Sequence, residues 1–370
     1  MKHSMTNKSQ GNNTTLFYGI CGEGLGHYSR AVFLISHLLA NGYGVEIFTS
    51  RRVVTLCRKR FPECRVHSVP GMKMHYENNR LHLPKTTWNN CQSIGRGPKA
   101  FSLILKRARI CKPVAFISDY EPLVAISGKM LGIPVIAFDH QQVTTECKLE
   151  IRGISSFHMG LLHFSNETTY PWPNLRIISS FFRPPLKKRR SGGERVLIPP
   201  VLRSEVLKSN SVTGDHILVY QTSRTMEILS EVLEKLPGEK KVYGAGKSWS
   251  GQKEKKFDEQ EFIRDLATCR FAIVNGGHTT LSEAVFLGKP VICFPVKNQT
   301  EQEINGQYIA HLGYGEYYQI DGKGRAPDFS SFLKNEESYR KQVEEKGKSC
   351  GNQELVNVVL EYLGREQLKS

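Results

Sequence analysis

Asn275-Gly276-Gly277-His278-Thr279-Thr280-Leu281-Ser282-Glu283-Ala284 is the stretch that decides the fold. It follows the β-branched run Phe271–Val274 and opens the helical spacing of Thr279–Leu287. Gly288-Lys289-Pro290, a second apolar run Val291–Phe294, and Gln299-Thr300-Glu301-Gln302-Glu303-Ile304-Asn305-Gly306 come next. Strand, glycine turn, helix and strand in this order form a parallel βαβ unit. Glycines at the strand end let a ligand approach the backbone, and the free amides of the helix start favour a diphosphate there. Glu283, one turn into the helix, is placed to take two ribose hydroxyls, and Glu301 and Gln302 offer an acceptor and an amide to sugar hydroxyls. The plainer alternative is an ordinary βαβ turn with a polar loop.

The same grammar runs outward in both directions. Upstream in this half, Ile217–Tyr220 and Lys241–Tyr243 read as strands and Met226–Leu236 as a helix. In the first half, Leu16–Cys21, Val45–Thr49, Val114–Ser118 and Val135–Phe138 read as strands, with helices over Tyr28–Ala40 and Pro122–Leu131. The expected fold class is α/β, two Rossmann-like, doubly wound parallel-sheet domains facing across a cleft. A polar tail over 1–14, a first domain over 15–198, a second over 199–351 and a C-terminal helical segment over 352–370 divide the chain. Phe181–Gly193, with Pro184, Pro185 and Lys187-Lys188-Arg189-Arg190, reads as a linker or exposed loop.

Cys21-Gly22-Glu23-Gly24-Leu25-Gly26-His27 follows the first strand and opens the first helix. It fits neither the G-x-G-x-x-G dinucleotide fingerprint nor a phosphate loop. It does place a histidine at the carboxyl end of a strand, where open sheets bind ligands and where an imidazole can take a proton at neutral pH. A histidine that only caps the helix is the alternative. Ser118-Asp119-Tyr120-Glu121-Pro122 and Asp139-His140-Gln141 close two further strands of the same half.

With these motifs the sequence resembles the two-Rossmann-domain (GT-B) glycosyltransferases over about residues 14 to 320. It is similar to the enzyme that adds N-acetylglucosamine to the lipid-linked peptidoglycan precursor and to UDP-glucuronosyl and plant secondary-metabolite transferases. Poorly characterised bacterial and archaeal members of that superfamily carry the Ser-Asp-x-Glu-Pro and Asp-His-Gln motifs. The resemblance implies an inverting transfer from a nucleotide sugar, a UDP-sugar being the expected co-substrate, with no cofactor and no obligatory metal. Gly276, Gly277, His278, Thr279 and Thr280 match the diphosphate segment, Glu283 the ribose-binding glutamate, and Glu301, Gln302 and Asn305 the donor-sugar segment. Ser223 and Arg224 fall at another phosphate-proximal loop, and Tyr243-Gly244-Ala245-Gly246 at the stretch before the base-binding loop. His27 matches the general base, with Asp119 as an alternative base or acceptor ligand; Gly24, Gly26, Glu121, Asp139 and His140 fall in the acceptor half, and His140 is a further candidate base. One departure is Asn275, which stands where many relatives carry a phosphate-binding histidine.

Charge bears on the acceptor. The 370 residues hold 51 Lys and Arg against 35 Asp and Glu, a net +16. Residues 1–200 have 28 against 11, a net +17, and residues 201–370 have 23 against 24, a net −1. Excess confined to one half implies an anionic partner for that half. Arg51-Arg52, Arg58-Lys59-Arg60, Lys106-Arg107 with Arg109, and Lys187–Arg190 are the basic clusters. Phe101, Ile104, Leu105 and Ala108 interleave the third, as in a membrane-surface helix or one packed on the sheet. The readings left open are a lipid-linked or cell-envelope glycan acceptor with peripheral membrane contact, DNA with hydroxymethylated bases, and a non-catalytic nucleotide-sugar sensor. Nine scattered cysteines without a CxxC pair, and no long apolar run, fit a reducing cytoplasm, with attachment to the inner membrane surface open.

Overall fold

The computed structural model describes residues 14–77, 79–188, 192–221, 229–244, 254–319 and 327–368. Two parallel sheets carry the chain. The first has strands β1 (Thr15–Ile20), β2 (Gly44–Thr49), β3 (Arg65–Ser68), β6 (Ala115–Asp119), β7 (Val135–Asp139), β8 (Leu175–Ser179) and β9 (Glu194–Ile198), in the order β3-β2-β1-β6-β7-β8-β9. The second has β10 (Ile217–Tyr220), β11 (Lys240–Tyr243), β12 (Phe271–Val274), β13 (Val291–Cys293) and β14 (Gly315–Tyr317), in the order β11-β10-β12-β13-β14. Between β3 and β6, β4 (Tyr76–Glu77) and β5 (Arg80–Leu81) form an antiparallel hairpin.

Central strands such as β6, β7 and β12 are buried along their whole length. Helices cover both faces of a parallel sheet, so these strands read as unbroken apolar runs rather than alternating ones. The edge strands differ: β3 begins with Arg65 and β9 with Glu194-Arg195, and both are partly exposed. In each sheet the order reverses beside the first strand, which leaves a crevice at the carboxyl ends of the strands. Both glycine loops lie there.

Phe181–Gly193 joins β8 to β9 inside the first sheet; the chain crosses to the second domain only after β9, at Pro199–Leu202. It returns at Gly351, which packs so tightly on Pro199 that a Cβ would collide with the Pro199 carbonyl. The Gly351 amide donates to Pro200 O at 2.8 Å, and the Asn352 side chain holds both the amide and the carbonyl of Leu202 at 2.8 and 2.7 Å. The outgoing and returning strands of chain are thus stitched together. The helix Asn352–Gln367 then buries Leu355, Val359, Tyr362 and Leu363 in the first domain's core, with Leu34, Ile35 and Leu38.

Of the helix expected over Met226–Leu236, the described part is Leu229–Glu234. The 1–13 tail, Arg189, Arg190, Ser223, Arg224, Ala245 and Gly246 lie outside the described residues.

Candidate active site

The first glycine loop turns from β1 into the helix Gly26–Ala40. β1 pairs with β6 in parallel register, Ile20 opposite Asp119, so Asp119 lies beside the start of that helix. There His27 Nδ1 is 2.6 Å from Asp119 Oδ1. Arg30, one turn after His27, donates from Nε to Asp119 Oδ2 at 2.7 Å and from Nη2 to Oδ1 at 2.6 Å; the same Nη2 lies 2.6 Å from His27 Nδ1. Asp119 is fully buried, which pushes its carboxyl up, but the Arg30 guanidinium and His27 outweigh this and the net shift is down. The carboxylate is held ionised. Tyr120 follows in the left-handed region at φ 54°, unusual for an aromatic residue. Its hydroxyl bonds Ser165 and Asn166, both at 2.9 Å, and its ring faces His27 at 6.2 Å.

The second glycine loop comes up against the first. A Cβ on Gly26 would collide with Thr279 Oγ1, so glycine there permits the two domains to meet at the helix start. Gly276 is equally constrained, its missing Cβ facing the Gln302 backbone. The Gly276 amide and the Val296 amide donate to Gln302 Oε1 at 3.2 and 3.0 Å, which leaves the amide NH2 of Gln302 as the group a ligand can use. Gly277, Thr279 and Thr280 are half-buried at the cleft end of the helix His278–Phe286. Half-buried Glu301 is pushed up to about 7 by desolvation, against the opposing pull of Arg30.

Several expected site residues are buried and partnered by the protein itself. His140, expected in the acceptor site, is fully buried: its Nδ1 meets Ser179 O and its Nε2 meets Asn305 Oδ1, each at 2.8 Å. Its ring stacks on His278 at 3.8 Å across the domain boundary, and burial lowers it to about 4. His140 is thus an inter-domain contact, with both ring nitrogens bonded within the protein. His278, expected at the diphosphate, is buried between His140 and Phe181, with Nε2 3.3 Å from Ser282 Oγ. Glu121, expected to bind acceptor, instead caps the helix Pro122–Met130 by accepting the Val124 amide at 2.7 Å, and burial raises its carboxyl to about 7. Asp139, also expected to bind acceptor, is buried and accepts the Gln142 amide at 2.9 Å. Asp119 has no exposed surface, its carboxylate facing His27 and Arg30. Gly24 makes the left-handed turn of the first loop at φ 75°. Glu283 is covered, both oxygens taken by Arg203 at 2.6 and 2.7 Å.

Sequence reasoning passed over Arg30, whose i+3 spacing from His27 was its signal. It also passed over the hairpin β4–β5, which bridges the cleft. Leu81 N donates to Lys297 O and Lys297 N to Asn79 O, both at 2.8 Å, and Gln299 Nε2 donates to the Tyr76 hydroxyl at 2.8 Å. Asn79 and Asn298 add side-chain bonds to Pro295 O and Leu81 O.

The sequence matches the family described as Glycosyl transferase family 1 over residues 14–335. The chain belongs to that family. An uncharacterized glycosyltransferase of Methanosarcina mazei is 27% identical over 331 residues, covering 80% of this chain and 83% of the relative. One of Methanosarcina acetivorans is 26% identical over the same shares. Among solved structures, Phytolacca americana UGT2 complexed with UDP-2fluoro-glucose and pterostilbene matches with a TM-score of 0.68 at 12% identity, over 94% of this chain and 98% of that one. The spinosyn rhamnosyltransferase SpnG gives 0.62 at 14% (94% and 100%), and Acinetobacter baumannii MurG 0.59 at 13% (94% and 99%). These likenesses establish the GT-B fold. The protein is a glycosyltransferase whose first domain holds the His27–Asp119–Arg30 group and whose second holds the Gly276–Gly277 loop.

Proposed function

We propose that this glycosyltransferase moves a sugar, with inversion, from a UDP-sugar to a hydroxyl of an anionic lipid-linked or cell-envelope glycan. The His27–Asp119 contact, 2.6 Å long, next to Gly26 where the first helix start meets Thr279 of the second domain, carries the reading. We assign the tautomer in which Nδ1–H and Arg30 Nη2 lie side by side as two donors to the one ionised oxygen Asp119 Oδ1, which leaves the Nε2 lone pair for a substrate proton. His27 Nε2 takes the proton of the acceptor hydroxyl, whose oxygen bonds to the anomeric carbon while the bond from that carbon to the diphosphate oxygen breaks. The electron pair leaves with the diphosphate, the proton stays on His27, and Asp119 balances the imidazolium. The amides of the helix His278–Phe286 face the charge that develops on the leaving group, without a metal-dependent step. Glu283 is assigned to the ribose, and Glu301 and the Gln302 amide to the donor sugar.

The lipid-linked acceptor rests on two surface features. Phe157, Leu161 and Phe164 form a helical stripe that is 70%, 42% and 67% exposed, on the helix Ser156–Thr169, which packs on the helix Thr300–His311 carrying Glu301. The positive excess lies on outer helices, in exposed Arg58, Lys59, Arg60, Lys106 and Arg109. Arg30 and Arg51, beside the first glycine loop, are already paired with Asp119 and Glu23. Anionic groups of the acceptor are thus met at the protein surface, away from the reacting hydroxyl.

The test is a transfer assay over nucleotide sugars with anionic vesicles carrying lipid-linked glycan, product anomers assigned by NMR. His27→Ala is expected to lower kcat by about 10²–10⁴ with donor affinity nearly unchanged, and Asp119→Asn to follow it. Full transfer by His27→Ala, or no nucleotide sugar bound by the wild type, would overturn the proposal.

A further inference from the structure

Arg203 stands where the chain has just crossed from the first domain to the second. Leu202 before it is clamped at amide and carbonyl by Asn352, so the base of the side chain is fixed by the stitched crossing. The guanidinium faces two carboxylates. Nε and Nη2 donate to the two oxygens of Glu283 at 2.6 and 2.7 Å, and Nη1 donates to Glu259 Oε1 at 2.7 Å. Glu283 is fully buried and Arg203 nearly so, whereas Glu259 is half exposed. Burial disfavours the guanidinium charge, but Glu283 and Glu259 more than offset this and raise its pKa.

A bidentate fork of this kind fixes the plane of a carboxylate as well as its charge. Each oxygen has two lone pairs, and the fork uses one, which leaves one on each oxygen for a pair of hydroxyl donors. Thr279 and Thr280, four and three residues before Glu283, are its neighbours on the helix surface and stand at the cleft. A diphosphate at that helix start therefore carries its nucleoside within one turn of Glu283. Glu283 has no exposed surface, so a diol can bind it only if the side chains covering it on the cleft side shift.

We propose that Arg203 is the positioning residue of the donor's ribose site, holding the Glu283 carboxylate in a fixed plane for a vicinal diol and tying that orientation to the inter-domain crossing. This rests on the assignment of Glu283 to the ribose made above. Lysine cannot replace the fork, since a single ammonium reaches the carboxylate as a point charge. A plain structural ion pair would instead join the helices Glu259–Thr268 and His278–Phe286 and leave nucleotide selection alone.

The experiment titrates the full chain, wild type, Arg203→Lys, Arg203→Ala and Glu283→Gln, with uridine diphosphate and with its 2′-deoxy analogue. The wild type is expected to prefer the ribonucleotide on the order of tenfold, the loss of a hydrogen bond to a charged group. Arg203→Lys, which keeps the charge and so protects folding, is expected to bring that ratio close to one. Arg203→Ala combined with Glu283→Gln is expected to lower it no further than either alone. An unchanged ratio in both Arg203 variants, with the two nucleotides weakened equally, overturns the inference and leaves a structural pair. A wild type that binds both equally removes Glu283 from the ribose and the inference with it. A wild type that binds neither refutes the donor reading itself.

Discussion

His27, Arg30 and Asp119 show how much a single residue's meaning depends on its neighbours. His27 alone is an imidazole at a helix start; the buried carboxylate beside it fixes its ring. Because Asp119 titrates lower folded than unfolded, its contribution to stability is complete above the ordinary carboxylate range and is lost as pH falls through the folded value. Glu121 behaves oppositely. Its folded carboxyl, raised to about 7, binds a proton that the unfolded chain has already released, so stability falls as pH rises from about 4 to 7. Glu121→Gln keeps an acceptor for the Val124 amide and removes the titration. Urea midpoints measured at pH 5 and 8 should therefore lie closer together in this variant than in the wild type; an equal spread would show that Glu121 does not bear the slope. His27 and Glu121 both stand out in the sequence as polar residues at strand ends. Only the burial of Glu121, with its carboxylate turned back on its own helix, separates the cap from the candidate base.

At the scale of elements, apolar runs were the legible ones, and they are β1, β2, β6, β7, β10, β12 and β13, with the short β11 beside them. β3 and β9 escaped because sheet edges tolerate charge, and β8 carries a buried Arg176 in its middle. The helix Ser156–Thr169 escaped because its apolar stripe faces outward, the reverse of the usual amphipathic pattern. The hairpin β4–β5 has two residues per strand and no pattern that a sequence window can detect. It nevertheless bridges the cleft through two backbone hydrogen bonds to Lys297 and a side-chain bond from Gln299, two residues before Glu301. Tyr76→Phe removes the bond from Gln299 at little cost to folding, about 1 kcal/mol or less. We expect it to raise the donor KM several-fold with kcat nearly intact; steady-state kinetics showing the reverse split would assign Tyr76 to the acceptor step.

The whole molecule is closed by the return of its C-terminal helix to the first domain. Leu363 is fully buried there, and Leu363→Ala should cost about 2–5 kcal/mol, read as a lower thermal midpoint of the first domain. A change below 1 kcal/mol would mean that the helix is not part of that core. The two halves also divide the charge, a net +17 against −1. The near-neutral half holds a helix start whose amides suit a diphosphate, so it needs no cluster of cations for that purpose. The amino-acid sequence by itself determined the α/β class, the two sheets and the two glycine loops, because parallel strands, helix starts and tight turns leave local patterns. Tertiary structure alone decided which side chains act together. Asp119 meets His27 across 92 residues because β1 and β6 are neighbours in register, and Glu283 meets Arg203 across 80 because the crossing is clamped beside the helix His278–Phe286. Hydrogen bonds reach about 3 Å, and strand order, which no local pattern encodes, determines what lies within that distance.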